Sequence, residues 1–170
     1  MIDIFTFKQH KKFKKELLGL IDRLPKINLK PDETESLNHT DWYLPPETPR
    51  LYWSLFSKLL QDWKVNMCFK THSKKCIVHN YWFQQYLKNN HHNWHNHSAC
   101  QFSSVYYLEL PESSILTEFL NETNIDAKEG DIITFPSYLY HRSPINKLKK
   151  RKTVIVFNTS FEELDFNQQV

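Results

Sequence analysis

The spacing of apolar positions changes character near residue 65. Ahead of it, residues 2–7 (IDIFTF) read as a short strand, and residues 10–24 place Phe13, Leu17, Leu20, Ile21 and Leu24 at helical spacing. Residues 25–48 are rich in Pro, Asn, Asp, Glu and Thr and show no period, which predicts a long loop of the kind used as a lid or binding loop. A second helix follows. Thr48 is placed to cap it, Pro49 fits its first turn, and Leu51, Leu55, Phe56, Leu59, Leu60 and Trp63 form one apolar face. The aromatic residues Tyr52, Trp53 and Trp63 read as packing. From residue 65 onward the chain consists of short runs rich in β-branched and aromatic residues: VNMCFKT, KCIVHNYWFQQYL, QFSSVYYLEL, GDIITFP and RKTVIVFNTSF. Turn residues at Ser73-Lys74, Asn89-Asn90, Gly130-Asp131 and Pro136 separate them. The expectation is one domain over 1–170, mainly β with N-terminal helices. Residues 1–64 supply a helical brace and loop, and 65–170 a sheet sandwich or barrel.

Composition narrows the function. A length of 170 residues with 40% hydrophobic content suits a globular domain with a sizeable core, and 15% aromatic residues make that core or a cleft ring-rich. Glycine occurs only at Gly19 and Gly130, too sparsely for a phosphate-cradling loop. The net charge of +3 is too small to imply nucleic-acid binding, and the crowded Lys8, Lys11, Lys12, Lys14 and Lys15 read as a solvated helix face. Cys68, Cys76 and Cys100 are odd in number and loosely spaced, which points to free thiols in a reducing compartment. The N-terminus lacks the basic-then-apolar order of a signal peptide, and no apolar run approaches the roughly 20 residues that cross a bilayer. The reading is a soluble cytoplasmic protein with no membrane partner. Abundant Lys, Asn and Ile fit an AT-rich bacterial or viral genome.

The chemistry concentrates in histidine. HHNWHNH spans residues 91–97, and His141 follows FPSYLY. Neutral imidazole ligates Fe, Zn, Cu and Ni. On a strand His95 and His97 would share a face, so both rings would reach one ion, and a later strand would return His141 to the same mouth. The plainer alternative is a polar surface turn. Arg151, Lys152 and Thr153 follow His141 and open the last strand, supplying a cation that can grip the far carboxylate of a dicarboxylate whose other end chelates a metal.

The pieces WHNHSACQFSSVYYLELP, EGDIITFPSYLYHRSPIN and RKTVIVFN, within Trp82 to Phe161, resemble the 2-oxoglutarate/Fe(II)-dependent oxygenase superfamily. They are most similar to oxygenases of bacteria and marine phages and more distantly similar to prolyl 4-hydroxylases. The resemblance implies a double-stranded β-helix (jelly-roll, cupin-like) barrel. It implies Fe(II) held by His95 and His141, with His97 standing where the family has an acid, so the third ligand and the metal's identity stay open. It also implies a basic residue on the last barrel strand that binds 2-oxoglutarate. Counting from His141 favours Arg151 with Thr153 as its helper, whereas counting back from Phe157-Asn158 favours Lys152. Adjacent strand residues point to opposite faces, and Arg151 is preferred for its forked donors. Tyr86 falls where the prolyl hydroxylase pattern often has a tyrosine.

The implied activity is a dioxygenase that consumes 2-oxoglutarate and O2, releases succinate and CO2 and hydroxylates a substrate, with ascorbate as a further reductant. Ile132, Phe135, Val154 and Val156 are candidates to line the pocket. The substrate is not legible; a protein side chain such as proline is the first expectation, and a nucleic acid is disfavoured by the low charge. Two other classes stay open: a non-catalytic cupin-like protein binding Zn(II) or Ni(II) and a small carboxylate, and a structural protein that has lost the chemistry. Oligomeric state is not legible either.

Overall fold

The computed structural model describes residues 2–26, 35–120 and 125–164. Its strands are β1 (Asp3–Thr6), β2 (Glu35–Ser36), β3 (His39–Thr40), β4 (Ser73–Tyr86), β5 (His91–His95), β6 (Phe102–Glu109), β7 (Glu118–Phe119), β8 (Asp131–Pro136), β9 (His141–Ser143) and β10 (Lys152–Leu164). The helices are α1 (His10–Asp22), α2 (Leu51–Leu59) and α3 (Gln61–Lys70), with a 3-10 turn at Ser113–Ile115. A six-stranded sheet runs β1-β8-β6-β10-β4-β3 and a four-stranded sheet runs β2-β5-β9-β7. Every pairing is antiparallel. From β4 to β10 the chain alternates between the two sheets, strand by strand, which is the winding of a jelly roll. The expected mainly β fold braced by N-terminal helices is the fold observed.

Side-chain alternation sorts the core into two layers. Tyr106, Ile132, Ile155 and Phe157 point away from the small sheet and meet Leu17, Ile21, Tyr52, Phe56, Trp63 and Met67 of the helices. Their sequence neighbours Val105, Tyr107, Ile133, Val154 and Val156 point the other way and, with Tyr86, Phe119 and Phe135, form the layer between the sheets. Both faces of the large sheet are therefore covered, which is why β6, β8 and β10 read as unbroken apolar runs. Trp63 illustrates the helical layer: it is fully buried, packs edge-on to Phe157 with ring centroids 4.9 Å apart, and donates its indole N–H to Thr134 Oγ1 at 3.2 Å. Truncating such a residue to alanine costs about 3–5 kcal/mol.

Several local expectations need correction. VNMCFKT is not a strand, because α3 runs through Lys70. The alternation of Val65, Met67 and Phe69 is misleading: Trp63 and Met67, four apart on one helical face, are buried, whereas Val65 and Phe69 are exposed. The barrel core therefore starts at β4 rather than at 65. The single second helix is two, broken at Leu60. The N-cap of α2 is Arg50, and no side chain caps it, so Thr48 does not serve. The loop expected over 25–48 contains the two short strands β2 and β3, and its residues 27–34 lie outside the described residues. The three cysteines are free. Among the described residues no helix is long and apolar enough to cross a membrane.

Candidate metal centre and adjoining pockets

Strands β5 and β9 pair antiparallel with His95 opposite His141. That register sets the two imidazoles side by side, with ring centroids 4.3 Å apart. His97 lies beyond the end of β5, so the expected same-face strand pair is corrected. A loop brings it in, fastened where its backbone N–H donates to the Ser137 carbonyl at 2.9 Å. The outcome is still convergence: one nitrogen from each of His95, His97 and His141 lies within 4.8 Å of the others.

The environment prepares these rings as metal ligands. His95 Nδ1 is 2.7 Å from the Asn93 carbonyl and His141 Nδ1 is 2.9 Å from the Leu139 carbonyl. A carbonyl only accepts, so each Nδ1 carries the proton and each Nε2 keeps its lone pair. Burial lowers the basicity of all three rings, to about 4 for His97 and about 3 for His141, where the neighbouring imidazoles add to the effect. All three are neutral donors at physiological pH. Phe135 packs on His141 with centroids 4.6 Å apart, fixing the ring from the apolar side.

The three histidines border a pocket whose far wall comes from the large sheet. Lys152, Val154 and Val156 line it from β10, and Trp82, Gln84 and Tyr86 from β4, each set two residues apart on one face. Its free space is small, about 30 Å³. Lys152 is wholly buried there. Its ammonium donates to the Ile115 carbonyl at 2.6 Å and to Ser143 Oγ at 2.9 Å, and it lies 5.2 Å from the centre of the Tyr86 ring. Burial brings its pKa down to about 7, against the pull of Glu118. Tyr86, also buried, donates its hydroxyl to Gln84 Oε1 at 2.7 Å, and burial raises its pKa.

Of the two candidate cations, Lys152 and not the preferred Arg151 faces the pocket. Arg151 faces away from the pocket, donating to Glu109 at 2.7 Å and to Asp22 at 2.9 Å. Thr153 shares that outward side and also donates to Glu109. Ile132 belongs to the helical layer and does not line this pocket. Phe135 backs His141, while Val154 and Val156 line the pocket as expected. Sequence reasoning missed Ser143, Gln84 and Trp82. Ser143 lies two residues after His141 on the same strand face, and Trp82 and Gln84 precede Tyr86 by the same step, so period-two alternation would have found them.

A second, wider cavity of about 280 Å³ adjoins the centre. His92, His95 and His97 border it on one side, and Glu35, Leu37, Trp42, Tyr43, Trp82 and Gln84 form the rest. The residues at 41–43 are anchored by Asp41, a fully buried carboxylate. It accepts from Arg50 Nε at 2.9 Å, from the Tyr52 hydroxyl at 2.7 Å and from the Phe83 backbone N–H at 2.8 Å. Part of the loop expected at 25–48 thus forms a wall of this cavity.

No protein-family model matches the chain, and no curated protein matches it in sequence. Solved structures do match. The chain is similar to a viral collagen prolyl hydroxylase from Paramecium bursaria Chlorella virus-1 in complex with 2-oxoglutarate, with 16% identity, 93% of this chain and 94% of that one covered, and a TM-score of 0.64. It is similar to a Trichoplax adhaerens prolyl hydroxylase bound to a hypoxia-inducible-factor peptide, with 12% identity over 98% and 84% of the chains and a TM-score of 0.67. It is also similar to HygX from Streptomyces hygroscopicus with nickel and 2-oxoglutarate bound, with 10% identity over 97% and 83% and a TM-score of 0.62. The fold is that of the 2-oxoglutarate/Fe(II) oxygenases, with three histidines at its centre that can hold a metal.

Proposed function

We propose that this chain is an Fe(II)- and 2-oxoglutarate-dependent dioxygenase that hydroxylates an organic substrate. His95, His97 and His141 would hold the metal. Lys152, steadied by Ser143, would bind the far carboxylate of 2-oxoglutarate, with Tyr86 on the pocket wall. The observation that carries this reading is Lys152: a fully buried ammonium whose two hydrogen-bond acceptors are both neutral. Burying a cation without an anionic partner costs several kcal/mol, and a carboxylate delivered into the pocket removes that penalty. A dicarboxylate suits a pocket with a cation at one side and neutral metal ligands at the other.

Fe(II), when bound, supplies the activation of O2 that is coupled to conversion of 2-oxoglutarate to succinate and CO2, one oxygen atom entering succinate and the other the substrate. The protein's own part is positional. The Nδ1–H bonds to Asn93 and Leu139 aim two imidazoles. Val154 and Val156 line the pocket and Phe135 packs on His141, giving the centre an apolar flank. The free space of about 30 Å³ is smaller than a five-carbon diacid, so admitting one would require lining side chains such as Gln84 to turn aside. A three-histidine centre leaves the metal's full double charge in place, which strengthens its hold on an anionic chelator.

The test is aerobic conversion of 2-oxoglutarate to succinate by the Fe(II)-loaded protein, with Lys152→Met as control. Succinate formed by the wild type and lost in the variant supports the proposal; none from a metal-replete protein counts against it. A second reading, a metal-bound module for a smaller carboxylate, is favoured by His97 in place of an acid and by the small pocket. It predicts Zn(II) binding and no succinate.

A further inference from the structure

We propose that the wider cavity beside the metal centre binds an alkylammonium group, so that the substrate is an amine or methylated amine; its role as substrate rests on the oxygenase reading. Trp42 and Trp82 stand with centroids 4.7 Å apart and planes at 68°, so two indoles form a corner. Tyr43 adds a third ring, and its hydroxyl donates to Glu35 Oε1. Glu35 sits on β2 opposite His92 of β5, with its second oxygen 3.9 Å from His92 Nε2. Among the described residues lining this cavity, Glu35 is the one carboxylate, and there is no Lys or Arg. Ring faces carry the negative end of the aromatic quadrupole, and a carboxylate among them adds formal negative charge. A cation gains from both, whereas an anionic group would be repelled and a neutral one would gain only contact area.

Position connects the cavity to the chemistry. His95 and His97 border it directly, so carbons a few bonds from the bound nitrogen lie against the centre. The corner is preformed: the buried Asp41 network fixes the backbone immediately before Trp42, and Trp82 is a buried residue of β4. Trp42 and Tyr43 are about half exposed, at 52% and 50%. Rings left in that state at a cavity mouth are available to a ligand.

The experiment is titration of the metal-free protein, followed by indole fluorescence, with choline and with its neutral isostere 3,3-dimethylbutan-1-ol. The expected result is choline binding at least tenfold tighter. That preference should shrink below threefold in Glu35→Gln, and Trp42→Leu should weaken choline by about tenfold. Equal binding of the two probes, or an unchanged preference in Glu35→Gln, overturns the proposal. A lysine-bearing peptide and free butylamine, titrated alongside, name the source of the amine, either order being a positive result. Fe(II) and 2-oxoglutarate binding is measured separately without any amine. Failure there with choline discrimination intact removes the oxygenase reading and leaves the cation site; the reverse removes the cation site alone.

Discussion

Replacing Lys152 with methionine should make the protein more stable near pH 6 while greatly weakening its hold on 2-oxoglutarate. Methionine keeps an unbranched side chain one atom shorter and removes the charge. The lysine has its ordinary pKa of 10.5 in the unfolded chain and about 7 in the fold. Between those values the unfolded state holds a proton that the folded state does not, so wild-type stability rises with pH by about 1.4 kcal/mol for each pH unit. Over the whole interval the penalty reaches about 5 kcal/mol, fully present below pH 7 and absent above pH 10.5. The variant escapes it but leaves the Ile115 carbonyl and Ser143 Oγ without their donor, at a cost of about 2–3 kcal/mol. Net stabilisation of about 2 kcal/mol is expected at pH 6, passing through zero at about pH 8.5 and reversing above it. Urea unfolding of both proteins at several pH values measures the difference, in which the other titrating groups cancel. A difference that stays flat from pH 6 to pH 10 would refute the reasoning. Loss of a buried charge pair should weaken 2-oxoglutarate at least 100-fold in the same variant.

Arg151→Ala should leave 2-oxoglutarate affinity unchanged and lower stability by about 1 kcal/mol, because Arg151 bridges Glu109 and Asp22 outside the pocket; isothermal titration and urea unfolding check both parts. His97→Asp puts a negative charge on the centre. It should retain Fe(II) while raising the 2-oxoglutarate Kd by about tenfold, read by anaerobic titration. Gly130→Ala should cost about 2 kcal/mol or more in thermal unfolding. Its φ is 93°, and an added Cβ would lie 2.9 Å from His10 Cγ.

The sheet strands of the second half were legible because they are buried on both faces. Phe102–Glu109 and Asp131–Pro136 can only be continuous apolar runs when helices cover one side and a second sheet the other. Residues 65–71 were not, since an apolar pattern at alternate positions is ambiguous when a helix exposes half of it. His95 and His141 were legible from residue type and order, and His97 was found for a reason the fold does not use. Arg151 was preferred on its count from His141 and its forked donors, yet the face it occupies was fixed by its neighbours. Val154 and Val156, already expected to line the pocket, share a side with Lys152 and not with Arg151. Glu35, Trp42 and Tyr43 were illegible as a site because only tertiary folding, through the Asp41 network, carries that loop to the metal centre.

The central claim is a metal at the three histidines chelated by 2-oxoglutarate, and anaerobic titration with Fe(II) and 2-oxoglutarate tests it most directly. The account predicts the weak visible charge-transfer band of an iron–keto acid chelate in the wild type, absent in His141→Ala and shifted to far higher 2-oxoglutarate in Lys152→Met. No band in a protein that demonstrably holds Fe(II), or a band indifferent to Lys152, would contradict it.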